Sequence, residues 1–526
     1  MPGAGTLLAP DLRIWFASLT LSGDAASEDL ILPSAEMQPA AHDRGDGSAR
    51  PAPHASPARR PPIVSAGIIL LVMAVVLVVI PRPDSVGPEG WRLLAIFVGT
   101  TLALLLRPLP EGAAVLVALT VVIATKTLPP GQALSGYSNS TVWLVLCAFF
   151  IARCLIQTGL ARRIALNIVR LIGQSSLGLG YALAFSDALL AFIIPSTTAR
   201  SAGVLLPIAR SMAEVYRSQP GPTSGLLGAF LLLTLYQSDI IVTASFLTGQ
   251  ASNPLGAELA GKMAGVPVDF ARWLWAALLP GLVSLFLVPW VVFRLARPGI
   301  VRTPAAAALA RQEIAAMGPR SSAENITLAV FVGVCGLWMT SRFHSLDTTT
   351  AALLGVAALL VSGIFTWRDA LEERAAWDVF IWYGGVFAMA GGLNDLGVTT
   401  AFAGWVSQWF SGWQWFGALL LISIVYFYAH YGFASITAHM VSMFPPFLAV
   451  LLALGTPPGV AVFLLLFLTN LDAGLTHYGT LPAPIIFGAG YVSQNLWWKI
   501  GFLVSLVNLT IWLGVGMVWW KLIGLW

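Results

Sequence analysis

Charged residues are scarce in this sequence: Asp, Glu, Lys and Arg make up 10% of its 526 residues, whereas water-soluble domains carry about 25%. Hydrophobic residues make up 57% of the chain. Apolar segments near the ~20 residues that a membrane-spanning helix needs recur along it. So little charge excludes an aqueous enzyme, a nucleic-acid-binding protein and a secreted disulfide scaffold. The sequence predicts an all-α polytopic membrane protein, embedded in the lipid bilayer.

Cysteine is also rare, and the motifs of several other classes are missing. The three cysteines, Cys147, Cys154 and Cys335, lie in apolar stretches without the Cys-x-x-Cys spacing of a metal or redox site. No nucleotide-binding motif is present, which argues against an ATP-driven pump. A channel fits the composition but would not need the two broken hairpins described below. We therefore expect no cofactor.

The chain divides into a tail, two apolar halves and a connector. Residues 1–62 include a stretch rich in Pro, Ala, Arg, His and Asp, which predicts a disordered tail. The first half covers 63–296, a cytoplasmic connector covers 297–324, and the second half covers 325–526. Each half holds one long broken stretch. We predict about 11 transmembrane helices plus re-entrant hairpins near 174–216 and 413–454; the spans lie near 63–80, 91–107, 112–128, 141–158, 224–247, 270–295, 325–341, 349–366, 377–392, 457–475 and 498–522.

Arginine is distributed unequally between alternate loops. If the N-terminus is cytoplasmic, the cations before the first span, after the second and fourth, in the connector and after the eighth all fall on the cytoplasmic side. Fewer cations lie in the opposite loops. The positive-inside rule therefore predicts a cytoplasmic N-terminus and connector.

The two halves also resemble each other in sequence. Residues 143–159 match residues 382–397, with Gly159 opposite Gly397, and Ser196 falls opposite Ser435 at nearly the same offset. If each copy contains an odd number of crossings, the copies run in opposite directions through the bilayer. Inverted repeats are typical of secondary transporters, whose substrate site lies between the repeats near the bilayer midplane.

A Ser-x-Thr-Ala-cation motif lies in the middle of each broken stretch. The first motif is Ser196-Thr197-Thr198-Ala199-Arg200, and the second is Ser435-Ile436-Thr437-Ala438-His439. A continuous helix of about forty residues would overshoot the ~30 Å hydrocarbon core, so a re-entrant hairpin fits better. At its tip, two hydroxyls and a nearby cation suit a carboxylate. For one motif alone, hydroxyls bonding neighbouring helices would be the simpler interpretation. Two copies in register favour a binding site.

Arg200 is the sharpest single indication of function, because a permanently charged guanidinium near the bilayer midplane is costly and usually functional. Each hairpin is followed by a second interrupted helix. After the first hairpin the interruption contains Asn253 and Pro254, which are also predicted ligand-binding residues, although on their own they resemble an ordinary loop. After the second, the stretch 476–484 is more specific, because Gly, Pro and hydroxyls unwind the helix and expose its amide dipoles. The predicted ligand-binding residues of this stretch are Thr476, His477, Gly479, Thr480 and Pro482.

These motifs resemble the divalent anion–sodium symporter family, within it the branch of citrate/succinate, tartrate/succinate and 2-oxoglutarate/malate exchangers. The resemblance rests on 195–200, 427–439, 475–480 and 490–492, and it covers roughly residue 63 to the C-terminus. It implies a homodimer of inverted-repeat protomers with a scaffold domain and a transport domain that moves as an elevator. It also implies that Ser196, Thr197 and Thr198 line one substrate carboxylate, and Ser435, Ile436 and Thr437 the other.

The sequence departs from the sodium-coupled pattern at the middle of both tips, where the usual Asn is replaced by Thr197 and Ile436. The resemblance matches Arg200 and His439 to the cations of the exchanger branch. Fixed positive charge can supply near a dianion what two sodium ions otherwise would. We therefore expect sodium-independent exchange.

Three acids lie close in sequence to the predicted site. A carboxylate near a dianion repels it unless the carboxylate is protonated or paired, so Asp187, Asp239 and Asp472 are candidates for ion pairs or for proton coupling. Asp239 is expected to pair with Arg200, and Asp472 with His439 or His477. The remaining histidine of this region, His430, is interpreted as a hydrogen-bonded packing residue.

The sequence therefore predicts a secondary transporter that exchanges C4–C5 dicarboxylates, such as malate, succinate or 2-oxoglutarate, across a bacterial inner membrane. The alternative within the class is sodium- or proton-coupled symport of a dicarboxylate, citrate or sulfate. A membrane enzyme would need a nucleophile–base pair or a metal cluster. The histidines at 430, 439 and 477 lie in one region but show no metal-ligand spacing and no paired catalytic acid, so no metal is expected.

Overall fold

Every regular element in the part of the chain that the computed structural model describes, residues 62–344, 346–410 and 412–526, is helical. The disordered tail predicted for 1–62 lies outside the described residues, apart from Pro62 at the start of the first helix. The first half begins with helices that pack in sequence order. They are α1 (Pro62–Val78), α2 (Pro88–Leu106), α3 (Glu111–Ala124), α4 (Ser140–Gln157) and α5 (Leu160–Ile172).

The first hairpin and a broken helix complete this half. The hairpin consists of α6 (Ser176–Ala191), a non-helical tip and a π-helical segment, Thr198–Leu205, that continues into α7 (Leu206–Val215). The broken helix consists of α8 (Gly228–Ser245) and α9 (Ser252–Ala264), and α10 (Phe270–Ala296) follows. Asp269 caps the N-terminus of α10 through a 2.7 Å bond from the Arg272 N–H.

The second half repeats this order of elements. After the connector helix α11 (Pro304–Ala316) come α12 (Ser322–Met339), α13 (Thr348–Val361), the short α14 (Trp367–Glu372), α15 (Arg374–Asp395) and α16 (Val398–Ser407). The second hairpin is α17 (Trp415–Tyr428) and α18 (Ile436–Ala453). The second broken helix is α19 (Pro458–Leu471) and α20 (Pro482–Gly488), followed by α21 (Gln494–Thr510), a π-helical segment and α22 (Met517–Leu522).

Local geometry supports the predicted repeat. Gly159, at the N-terminus of α5, and Gly397, at the N-terminus of α16, have φ angles of 79° and 75°. Only glycine adopts this conformation without strain. Equivalent helices also pack against each other across the repeat: α8 contacts α19, α10 contacts α21, and α4 contacts α15. Five crossings (α4, α8 with α9, α10, α12 and α13) lie between the start of α4 and the start of α15. Because five is odd, the two copies run in opposite directions.

Among the described residues, nine helices are long and apolar enough to cross a membrane. Two of the nine are the arms of the second hairpin, which leaves seven. Three shorter apolar helices, α1, α3 and α13, are also candidates, and α15 has the length to cross, with 22 residues. Seven, three and one make the eleven crossings that the sequence predicts.

Sequence periodicity missed six helices that do not cross on their own: α5, α9, α11, α14, α16 and α20. The connector 297–324, predicted only as a polar stretch, contains α11, which packs against α5. The connector is anchored by a buried ion pair in which Arg163 Nε donates to Glu324 Oε1 at 2.6 Å. Arg163, predicted as a loop cation, is therefore 7% exposed and structural.

A second set of ion pairs ties α4 to the turn before α15. Arg153 lies 3.1 Å from Glu373 and 3.4 Å from Asp369. The Thr366 hydroxyl, which donates to the Asp369 carboxylate at 2.6 Å, holds the pKa of that carboxyl below its usual range. These pairs lie on the edge of a group of helices formed by α1–α4, α12, α13 and α15, distinct from the group that contains the hairpins and broken helices.

Candidate functional site

The tip of the first hairpin is built by Pro195, which follows the end of α6 and cannot continue its hydrogen bonding. The Ser196 Oγ accepts a 3.2 Å bond from the Ala199 N–H and so caps the helical segment that starts at Thr198. Ser196 and Thr198 are half-buried, and Thr197 is buried. The helix N-terminus and two accessible hydroxyls therefore lie together at this tip.

The second tip has the same local design. The Ser435 Oγ accepts a 3.4 Å bond from the Ala438 N–H and caps α18. Ser435 has extended backbone angles, φ −154° and ψ 128°, and α18 begins at the next residue. Ile436 is buried, while Thr437 is half-buried. Both tips thus place a serine-capped helix N-terminus inside the protein, a standard setting for an anion.

Arg200 lies one turn behind the first tip and is completely buried. Its Nε donates to Asp187 Oδ1 at 2.8 Å, and its Nη2 donates to Asp239 Oδ1 at 3.0 Å and to Thr243 Oγ1 at 3.2 Å. Its Nη1 donates to the carbonyl oxygens of Ile194 at 2.7 Å and of residue 249 at 2.6 Å. We call Arg200, Asp187 and Asp239 the Arg200 cluster.

All five N–H donors of Arg200 are therefore committed to protein acceptors. The prediction that this guanidinium contacts a substrate carboxylate is corrected: in this structure it joins the hairpin to α8 and to the break between α8 and α9. Of the predicted pairs, Asp239 with Arg200 is present, and Asp187 is a second partner. In the part of the chain that the structure describes, the Oδ2 atoms of both aspartates lack hydrogen-bond partners. Two carboxylates thus surround a single guanidinium.

His439 lies at the equivalent position behind the second tip and is also completely buried. Its Nδ1 is 3.2 Å from Asp472 Oδ2, and the Nδ1 of His430 is 3.1 Å from Asp472 Oδ1. The opposite ring nitrogens, Nε2, contact the carbonyl oxygens of Tyr426 at 3.1 Å and of Gly479 at 2.9 Å. We call His430, His439 and Asp472 the His–Asp cluster.

This cluster corrects one sequence prediction, because both ring nitrogens of His439 face protein groups rather than a ligand. His430 is a buried, hydrogen-bonded residue as predicted, and it also lies next to Asp472. Of the two partners predicted for Asp472, His439 is present, while the Nδ1 of His477 accepts a 3.0 Å bond from the Trp498 indole. Two imidazoles and a carboxylate are also grouped closely enough to suit a metal ion, although their spacing in the sequence did not show it.

The break between α8 and α9 is held by side-chain amides. Asn253 Nδ2 donates to the carbonyl oxygens of Thr243 at 2.9 Å and of Phe246 at 3.0 Å. Asn470, on α19, donates to Asn253 Oδ1 at 3.0 Å and accepts from Gln250 at 2.6 Å. The two halves therefore meet at this amide network. Sequence reasoning singled out Asn253 and its neighbour Pro254, which is buried at the start of α9, but it missed Gln250 and Asn470.

The break between α19 and α20 is held from α8. The Tyr236 hydroxyl donates to the Ala473 carbonyl at 2.7 Å, and Gln237 Nε2 donates to the Gly474 carbonyl at 2.9 Å. Neither residue was predicted from the sequence. The signal in the sequence is a run of four residues with polar groups, Tyr236 to Asp239, within an apolar span.

The residues predicted in this second break have different surroundings. The Thr476 hydroxyl is fully buried and has no hydrogen-bond partner. The Thr480 Oγ1 accepts from the Ala483 N–H at 3.2 Å, and Pro482 begins α20. Gly479 lies where a Cβ atom would be 2.6 Å from the Ala473 carbonyl oxygen. Thr476 is thus a buried hydroxyl without a hydrogen-bond partner among the described residues, while Thr480 and Gly479 shape the backbone.

One cation from outside the hairpins reaches the second tip. Arg107, at the C-terminus of α2, donates from Nη2 to the Ala434 carbonyl oxygen at 3.2 Å, and it lies 3.9 Å from Glu111. Its side chain is 22% exposed. This contact connects the helix group of α1–α4 to the residue before Ser435.

Comparisons with known proteins agree with this architecture. Residues 64–526 match the family model described as "Sodium:sulfate symporter transmembrane region". Dicarboxylate transporter 1, chloroplastic, of Spinacia oleracea is 45% identical over 462 residues, which cover 87% of this chain and 81% of that protein. The putative malate transporter YflS of Bacillus subtilis is 43% identical over 461 residues, covering 87% of this chain and 96% of that protein.

A solved structure shares the fold at low sequence identity. The YdaH transporter of Alcanivorax borkumensis superposes with a TM-score of 0.50 at 14% identity, covering 90% of this chain and 99% of that one. At this identity the likeness concerns the fold alone.

Proposed function

Since the chain belongs to the sodium:sulfate symporter family of membrane transporters and is not an enzyme, we propose that it exchanges C4–C5 dicarboxylates across a bacterial cytoplasmic membrane. Malate, succinate and 2-oxoglutarate are the expected substrates, and the exchange requires no sodium. Relatives named for dicarboxylate and malate transport, at 45% and 43% identity, support this substrate class. A homodimer with a cytoplasmic N-terminus is part of the proposal.

The observation that carries the proposal is the pair of matching tips. Ser196 and Ser435 each cap a helix whose N-terminus ends inside the protein. Each tip adds a half-buried threonine hydroxyl, from Thr198 and Thr437. A dicarboxylate carries two anionic groups, so one molecule can use both helix N-termini.

Sodium independence is supported by the residues at the two tips, which differ from the sodium-coupled pattern, and by the contacts of Arg200. Neither tip has an Asn in the middle position, since Thr197 and Ile436 stand there. The Arg200 guanidinium already binds two backbone carbonyl oxygens, at Ile194 and at the first helix break. Carbonyl oxygens of unwound helices are typical sodium ligands in secondary transporters, so a fixed cation occupies groups that a sodium ion would use.

The first test is uptake of radiolabelled succinate into proteoliposomes in sodium-free buffer, with and without internal dicarboxylate. We expect uptake only into vesicles preloaded with dicarboxylate, and no change on adding sodium. Empty vesicles without a gradient serve as the control. Uptake into empty vesicles driven by a sodium or proton gradient would contradict exchange and favour the alternative, cation-coupled symport. Citrate and sulfate, supplied as competitors, test whether the substrate class is broader.

The second tip offers a sharper test of the site. Ser435→Ala is expected to raise the KM for succinate by about tenfold, because a hydrogen bond to a charged group is worth about 1.5–3 kcal/mol. The same change removes a helix cap, so the melting temperature of the variant must be measured alongside. Ser423→Ala, on the other arm of the same hairpin, is the matched control, because the Ser423 hydroxyl is buried without a partner. Equal KM values for the two variants would argue against a carboxylate site at this tip.

A further inference from the structure

The His–Asp cluster cannot hold its observed geometry without an added proton. A carbonyl oxygen only accepts hydrogen bonds, so the Nε2 atoms that face the carbonyl oxygens of Tyr426 and Gly479 must both carry hydrogen. In a neutral imidazole the other nitrogen, Nδ1, then has a lone pair. Both Nδ1 atoms face a carboxylate oxygen of Asp472, at 3.1 and 3.2 Å. Without an added proton, the lone pairs of the two Nδ1 atoms would each lie next to an oxygen of the buried Asp472 carboxylate.

Neither Nδ1 atom and neither Asp472 oxygen has a hydrogen-bond partner among the described residues, and each added proton supplies one of these contacts with the donor that a charge-assisted hydrogen bond needs. With no added proton the cluster has a charge of −1 and no bond between the rings and the carboxylate. With one proton it is neutral with one such bond, and with two it has a charge of +1 with both. Within residues 62–344, 346–410 and 412–526 no other side chain donates to Asp472, and all three residues are completely buried. A buried anion without a donor is strongly disfavoured, so the cluster holds at least one added proton.

The cluster lies directly behind residues of the proposed substrate site. The backbone N–H of His439 donates to the Ser435 carbonyl at 3.1 Å. The His430 ring binds the carbonyl of Gly479, which lies three residues after Thr476, whose hydroxyl has no partner among the described residues. A dianion held at the second tip favours the cluster state with charge +1 over the neutral state. We propose that the His–Asp cluster binds a proton in linkage with the substrate, which deepens and rests on the proposed dicarboxylate transport.

The transfer involves only a proton. When a dianion binds, the proton passes from water to a position between a histidine Nδ1 and an Asp472 carboxylate oxygen. When the dianion leaves, the proton returns to water. Because linkage is reciprocal, protonation of the cluster strengthens dianion binding by the same factor. His430, His439 and Asp472 lie on the second hairpin and the second broken helix, so a proton taken up on one side travels with the substrate.

Other charged or titratable groups around the cluster are engaged or distant. From α17, the Tyr426 ring packs 4.6 Å from the His439 ring, and its hydroxyl bonds Thr469. From α8, the Tyr236 hydroxyl binds the Ala473 carbonyl. The remaining groups on packed elements include Asp239, in the Arg200 cluster; Glu258, bonded to Asn139; Lys262, over the Phe387 ring; Arg107, on the Ala434 carbonyl; Lys499 of α21, exposed; His477, bonded by the Trp498 indole; Tyr428, bonded to Ser505; and Tyr478, bonded to the Tyr431 carbonyl.

The test measures binding of fumarate, which stays a dianion, to the purified full-length protein from about pH 6 to about pH 8. Calorimetry in two buffers of different ionisation enthalpy counts the protons taken up. We expect wild-type protein to take up protons on binding. The Kd should rise with pH by up to about tenfold per pH unit, the limit for one linked proton. The sign follows because, at higher pH, binding must recruit the second proton.

Asp472→Asn and His430→Gln are expected to abolish this pH slope. Two variants are used so that, if one of them does not fold, the other still tests the pH slope. His344→Gln is the matched control and should leave the slope unchanged. The Nε2 of His344 also contacts a carbonyl oxygen, that of Leu337, at 3.0 Å. Its Nδ1, however, accepts a hydrogen bond from the Leu346 N–H and does not face a carboxylate.

Three results would overturn the inference. Fumarate binding without proton uptake or pH dependence removes the linked proton while leaving dicarboxylate transport intact. Inhibition by Zn²⁺ in wild type but not in His430→Gln would assign the cluster to a metal ion instead. A protein that neither binds nor exchanges any dicarboxylate at any tested pH contradicts the proposed function itself, and the inference with it.

Discussion

Replacing Arg200 with leucine is expected to destabilise the protein by about 3–5 kcal/mol, the usual effect of removing one partner from a buried ion pair. The structure gives the reason: Asp187 and Asp239 lie 2.8 and 3.0 Å from the guanidinium and are completely buried. Without Arg200 two carboxylates remain in a low-dielectric interior with no countercharge. We expect loss of a monodisperse species in detergent, or a large fall in the melting temperature.

A combined variant separates this structural role from substrate binding. Arg200→Leu together with Asp187→Asn and Asp239→Asn removes all three charges, so most of the lost melting temperature should return. Arg368→Leu is the control, because Arg368 forms an exposed pair with Glu372 and its side chain is 86% exposed. Exposed pairs contribute about 0–1 kcal/mol. If Arg200→Leu kept its melting temperature and lost only dicarboxylate binding, the guanidinium would be a substrate contact after all.

Because Arg200 is paired with Asp187 and Asp239, other groups must neutralise a bound dianion. The sequence suggested that Arg200 and His439 supply two positive charges to the ligand. In the structure the guanidinium is shared by two aspartates, and His439 shares Asp472 with His430. Under the proposed function, the positive charge near a bound dianion would come from the helix N-termini at the tips, from Arg107 beside the second tip, and from the protonation state of the His–Asp cluster.

Much of the fold could be predicted because membrane helices carry their signal locally. Roughly twenty apolar residues define a crossing, and Pro195 marks the end of a hairpin arm within a few residues. The helices that periodicity missed, such as α9 and α11, are short and do not cross the bilayer on their own. Their helical state depends on packing against neighbours, for example α11 on α5, which a single sequence window does not contain.

The candidate site was predictable only where it repeats. The paired serine motifs stood out because Ser196 and Ser435 occupy equivalent positions in two copies. The partners of the buried charges did not, because they depend on contacts between distant segments. Asn470 lies 217 positions from Asn253, and Asp472 is 42 positions beyond His430. Proximity of this kind arises from the topology, and no spacing rule for one helix reveals it.

Gly479→Ala is expected to abolish exchange, because the second break has no room for a methyl group. A Cβ atom there would lie 2.6 Å from the Ala473 carbonyl oxygen, a backbone atom that Tyr236 holds at 2.7 Å. It would also lie 3.2 Å from His430 Nε2, which bonds the Gly479 carbonyl. Overpacking of this kind costs about 1–3 kcal/mol. Here the backbone must shift, and the shift separates His430 from its acceptor.

Gly488→Ala is the matched control, since nothing lies within 4 Å of a Cβ atom at that position, nine residues later in the same segment. Succinate exchange and melting temperature are measured for both variants. Gly488→Ala should resemble wild type in both. Gly479→Ala should lose exchange even if it remains folded, because the carbonyl that orients His430 also lies at the substrate-facing break. Normal exchange by Gly479→Ala would mean that the break relaxes freely, and neither the His430 bond nor the tight turn could then be required for transport.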